Sequence, residues 1–337
     1  MSDEAIKQSG RVALLDLLRF VAAFLVVLYH YQPFMSNHTD SEILEVFKFG
    51  YLGVNFFFML SGFVIMSSAK NRTAFKFAIL RAVRLYPAFI CCLIITVFIL
   101  YYLDGRVPSM SQMILNGLII NDYFGVENID GVYWTLQAEL KFYGCIFLLI
   151  LFSMISHYRI WISLWLLCAV TFYFYTQPFF LGWFISPSYS FFFIGGVSAY
   201  YLYENSKNAF AFVVMFLAML FAVLSAWNQI DGFYITPSYS DRWIASLIVI
   251  IFFLFFLFLR DLEKCISGTV WLSILGGVSY PLYLLHNRAG RTLLEYYAAE
   301  VWWLSSVCLA IVSVIVISLL VHVLIERPIF RLVRKYV

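Results

Sequence analysis

Leu14–Tyr31, LLDLLRFVAAFLVVLYHY, is apolar over the length of a membrane crossing, and Asp16, Arg19 and His30 interrupt it. About twenty apolar residues span a ~30 Å hydrocarbon core as a helix. Counting this run, ten such segments can be drawn, at 12–31, 50–69, 85–103, 133–153, 160–177, 188–204, 209–228, 242–260, 270–288 and 301–325. In lipid every backbone amide must find its partner within the protein, so only helices or closed barrels cross. The runs here are continuous rather than alternating, which excludes a transmembrane β-barrel. The chain is 63% hydrophobic and 12% charged, against roughly 25% charged in soluble domains. The expected fold is therefore all-α, a polytopic bundle of about ten transmembrane helices. It reads as one membrane domain over residues 1–337, with no appended extracytoplasmic domain. Met113–Ile120 is apolar but too short to cross, so it is expected to be re-entrant or interfacial.

Charge placement gives the direction. With the N-terminus inside, fifteen Lys and Arg fall on the inner side and five on the outer. Positive-inside bias then puts both termini in the cytoplasm. No small-residue cleavage site follows the first run, which reads as an uncleaved span rather than a signal peptide. The net charge of +3 gives no ground for a nucleic-acid partner. The six cysteines read as small buried hydrophobes. No Walker loop, GxGxxG, HExxH, CxxC or GxSxG occurs, so no metal and no tightly bound cofactor is expected.

Five stretches carry polar chemistry. Arg19 and His30 are eleven residues apart, which at ~100° per residue puts them on one helix face and ~16 Å apart along the axis. Asp16 lies three residues before Arg19, and that pairing lowers the cost of burying both. His30 reads either as an interfacial histidine or as a general base or nucleophile. In GVNFFFMLSGFVI, Ser61 and Gly62 serve either helix packing or a ligand's thin chain. In the basic loop Lys70–Arg84, Arg81 and Arg84 share a helical face. Two guanidinium forks suit a phosphate, while topology alone would need only positive charge. Pro87 should limit or kink the helix that follows. Glu139, in YWTLQAELKFY, is an acid just inside a span, functional or paired with Lys141. Ser279, Tyr283 and His286 share one face of a span that Pro281 should kink, with His286 on the same side as His30. The outer loops 32–49 and 103–132 are acidic and polar, as a sugar site or a solvated surface would be.

Together these motifs resemble acyltransferase family 3, the bacterial integral-membrane family that acylates glycans. The likeness rests on LDLLR with His30 (arginine, ten residues, histidine), GVNFFFMLSGFVI, RAVRLYP, YWTLQAELKFY, SYPLYLLH and IERPIFRLVRK, in family order from residue 14 to residue 334. The resemblance implies a multi-pass protein of the bacterial cytoplasmic membrane. It would move an acyl group, most often acetyl, from cytoplasmic acyl-coenzyme A to a hydroxyl of an extracytoplasmic glycan. Arg19 and His30 match the essential motif, Arg81 and Arg84 the paired arginines linked to the donor, and Glu139 the acid of the tryptophan-led motif. The expectation is that Arg81 and Arg84 hold the donor diphosphate and that its arm passes Ser61. Arg19 steadies the arm or polarises the thioester, and His30 acts as general base or acyl relay. Asp16, Tyr283 and His286 are accessory. The rival classes are a transporter, which would show the inverted repeats this sequence lacks, and a non-catalytic membrane sensor or scaffold.

Overall fold

The computed structural model describes residues 13–39, 42–175, 182, 185–233, 237–265 and 269–336. Among these residues there is no strand. The longer helices are α1 (Ala13–Ser36), α2 (Leu52–Ala69), α3 (Ala74–Ile99), α4 (Met110–Gly117), α5 (Trp134–Leu151), α6 (Tyr158–Phe174), α7 (Ser190–Glu204), α8 (Ala209–Gln229), α9 (Tyr239–Leu257), α10 (Val270–Leu285), α11 (Arg288–Ala298), α12 (Trp303–Val321) and α13 (Arg327–Arg334). Seven helical segments are long and apolar enough to cross a membrane. A helix stands on each of the ten expected segments, but α6, α7 and α10 have only 17, 15 and 16 residues.

Capping side chains fix where helices begin. Ser109 caps α4, Asn208 caps α8, Thr269 caps α10, and Ser238 with Asp241 forms a capping box on α9. Each satisfies an amide that would otherwise lack a partner in the first turn. The expected basic loop is a loop only up to Thr73. Lys76, Arg81 and Arg84 lie on α3, which starts about eleven residues before the expected span. Pro87 does not end α3, and Pro281 lies within α10. The short apolar piece near residue 113 is α4, an eight-residue helix.

The chain divides into two compact units. The first takes in the described residues of Met1–Gly53, Ile79–Gln137 and Gly268–Val337. There α1 packs most extensively on α10, and α12 packs on α10, α11 and α1. Gly276 and Gly277 let this happen. A Cβ on Gly276 would overlap the Asp16 carboxylate, and one on Gly277 would overlap the His322 ring. The second unit takes in Val54–Ala78 and the described residues of Ala138–Ser267. There α8 packs between α7 and α9. Phe193 centres an aromatic core, with the Phe142 ring 4.6 Å and the Phe58 ring 4.8 Å away.

Candidate functional site

In the first unit His30, at the C-terminal side of α1, meets His286, which follows the last turn of α10. The ring centroids are 4.8 Å apart. His286 Nδ1 lies 2.7 Å from the Tyr283 carbonyl. A carbonyl only accepts, so Nδ1 carries the proton and His286 Nε2 holds a lone pair. His30 Nδ1 lies 3.1 Å from that Nε2 and 3.0 Å from the Val26 carbonyl. Both are acceptors, so His30 Nδ1 is the protonated nitrogen and shares its proton between them. His30 Nε2 is left with the free lone pair that a base or nucleophile needs. His286 is fully buried, while His30 is half-buried. The expected companionship of the two histidines becomes a direct hydrogen bond.

The end of α10 is held from outside its own helix. Asp130 Oδ1 accepts from Asn287 Nδ2 at 2.7 Å and from the Val132 amide at 3.1 Å. Its Oδ2 accepts from the Arg288 amide at 2.7 Å. Asp130 is wholly buried, and burial pushes its carboxyl up from the usual carboxylate range while the three donors oppose the shift. The segment before it is folded rather than freely solvated. Buried Asn116 accepts from the Ile129 amide at 3.0 Å and donates to the Glu127 carbonyl at 3.1 Å.

Eleven residues before His30, Arg19 reaches Asp16 at 3.5 Å, and the Asp16 carboxylate is almost entirely buried. Arg81 and Arg84 both sit on α3, three residues apart as expected. Arg84 is bound to the buried carboxylate of Glu326, whose other oxygen accepts from His322 Nδ1 at 2.8 Å. This changes the picture of two equivalent donor-binding forks, because Arg84 has a built-in carboxylate partner. The sequence carried a signal for half of this contact: His322 and Glu326 are one turn apart at the end of an apolar helix, whereas their pairing with Arg84 follows no local pattern.

Ser61 and Glu139 belong to the second unit. The Ser61 hydroxyl donates to Glu139 Oε1 at 2.9 Å, and the Tyr143 hydroxyl donates to the same oxygen. Lys141 donates to the Gly182 carbonyl at 2.7 Å. Glu139 thus accepts from two hydroxyls, while Lys141, the alternative partner, is bonded to a carbonyl. Gly62 serves close packing, since a Cβ there would overlap the Phe193 carbonyl of α7. Tyr283 is buried, with its ring 5.5 Å from that of His286 and its carbonyl fixing the His286 proton.

An all-helical, multi-pass membrane protein with a hydrogen-bonded histidine pair inside its helices is the class defined by this architecture. Comparison with known proteins then places it. The profile of the acyltransferase-domain family matches residues 12–323, so the chain belongs to that family, acyltransferase 3. A segment of 143 residues is 28% identical to a protein of Shigella phage Sf6 named O-acetyl transferase, and the match covers 38% of this chain and 43% of that relative. The chain thus spans less than half the length of that curated relative. No solved structure matches it.

Proposed function

We propose that this protein is a membrane O-acyltransferase that moves an acetyl group from acyl-coenzyme A, bound from the cytoplasmic side, to a hydroxyl of an extracytoplasmic glycan. Family membership and the phage relative's name support acyl transfer to oxygen. The observation that carries the mechanism is the bare Nε2 of His30, left so by the His286 and Val26 acceptors on Nδ1.

The acceptor hydroxyl gives its proton to His30 Nε2 while its oxygen attacks the thioester carbonyl carbon. The carbonyl electrons move to oxygen, and the tetrahedral intermediate collapses by breaking the carbon–sulfur bond. The departing thiolate takes the proton back from His30, which returns the imidazole to neutral. Arg19, ~16 Å from His30 along α1 and engaged with Asp16, lies too far away to meet an oxyanion formed beside His30, and its role is to steady the donor arm. In the relay variant Nε2 itself attacks the thioester carbon and the carbon–sulfur bond breaks, leaving an acyl-imidazolium and a thiolate. The acceptor oxygen then attacks the acyl carbon, its proton passes to the thiolate, and the carbon–nitrogen bond breaks to return the neutral imidazole. Arg81 contacts the donor phosphates. Arg84, tied to Glu326, holds α3 in place at that point.

Purified protein supplied with radiolabelled acetyl-coenzyme A and envelope glycan tests this directly. Transfer is expected from the wild type, with His30→Ala reducing turnover about 10²–10⁴-fold. An acetyl group trapped on histidine after acid quench selects the relay. Undiminished turnover in His30→Ala contradicts the mechanism.

A further inference from the structure

We infer that Asp130 is a positioning residue for the histidine pair, acting through the junction between α10 and α11. This rests on the reading of His30 as the base. His286 and Asn287 occupy the turn between the two helices, so no continuous helix fixes the His286 ring. The junction is instead fixed by a carboxylate from a segment more than 150 residues earlier. Asp130 holds the Asn287 side chain and the first amide of α11 at the same time. It thereby serves as the N-cap that α11 lacks, since Asn287 makes no side-chain cap. Gly131 lies so close that a Cβ there would stand 3.3 Å from Asn287 Nδ2, so the contact is tight as well as polar. The chain of consequence is short. Asp130 sets Asn287 and Arg288, their backbone sets His286, and His286 Nε2 sets the proton on His30 Nδ1. Displacing the junction by an ångström removes the His286 acceptor and leaves the Val26 carbonyl alone on His30 Nδ1, so the ring is held less tightly.

Two measurements on the full-length protein test this. With only five histidines in the chain, ¹⁵N-histidine labelling reads the His30 tautomer, assigned by difference with His30→Ala. Wild type should show His30 protonated on Nδ1, and Asp130→Ala should add a measurable share of the Nε2-protonated form, since Val26 is then the one acceptor left on Nδ1. In the labelled acetyl-coenzyme A assay, Asp130→Ala should lower kcat about tenfold to hundredfold with the donor KM held within about twofold. In a His286→Ala background the same change should cost no more than about twofold, because its route to His30 is already cut. A structural loss would instead be equally large in both backgrounds, and that result overturns the inference. Unchanged turnover in folded Asp130→Ala overturns it too, whatever the spectrum shows. Should Asp130→Ala fail to fold, Asn287→Ala removes one arm of the clamp and is expected to shift tautomer and kcat in the same direction. If the wild type transfers no acetyl group, the proposed function fails, while the ¹⁵N spectra still decide whether Asp130 governs the His30 proton.

Discussion

Two adjacent glycines show how single atoms set this protein's polar contacts. Gly276 admits the Asp16 carboxylate and Gly277 admits the His322 ring, so a missing Cβ brings each buried polar group against α10. Gly277→Ala forces the ring aside and should destabilise by about 1–3 kcal/mol. Gly144 on α5 faces open space, and alanine there should be neutral or stabilise by up to about 1 kcal/mol. Thermal unfolding in detergent compares the two, and an equal change in both would contradict the steric account. The sequence shows the glycines, and it shows Arg19 and His30 on one face. It does not show which side chain fills the space beside a glycine, because that depends on a segment far away in the chain, as Asp16 is from Gly276. The His30–His286 bond is of the same kind. Both histidines were visible as candidates on one side, but the tautomer follows from distances to two backbone carbonyls.

Helix α3 carries the clearest difference between pattern and partner. The three-residue spacing of Arg81 and Arg84 was legible and holds. Glu326, which binds Arg84, lies 242 residues later, beyond any local pattern. Glu326→Ala removes a buried carboxylate that Arg84 and His322 both use, and should cost about 3–5 kcal/mol of stability. Arg81→Ala should raise the donor KM about tenfold, the weight of one charge-assisted contact. An unchanged KM would contradict its assignment to the donor. The start of α3 was placed too late because Lys76, Arg81 and Arg84 interrupt its otherwise apolar first turns, and the span was drawn only after the last of them.

At the scale of the molecule, helical character was plain from the continuous apolar runs, and helices stand on all ten. The helices α6, α7 and α10 are each a few residues shorter than the ~20 that a full crossing takes. Fifteen basic residues against five argue that both termini face the cytoplasm. A reporter enzyme fused after Tyr336 should be active only in the cytoplasmic form, and one inserted at Arg106 only in the extracytoplasmic form. The opposite pattern would invert donor and acceptor sides. The central claim is that the protein acylates a glycan on the far side of the membrane through His30. Mass analysis of surface glycans from cells carrying the wild-type gene, the His30→Ala allele at equal protein level, or no gene tests it most directly. An acetylated glycan present only with the wild type is the predicted result. The same acetylation with His30→Ala or without the gene would contradict it.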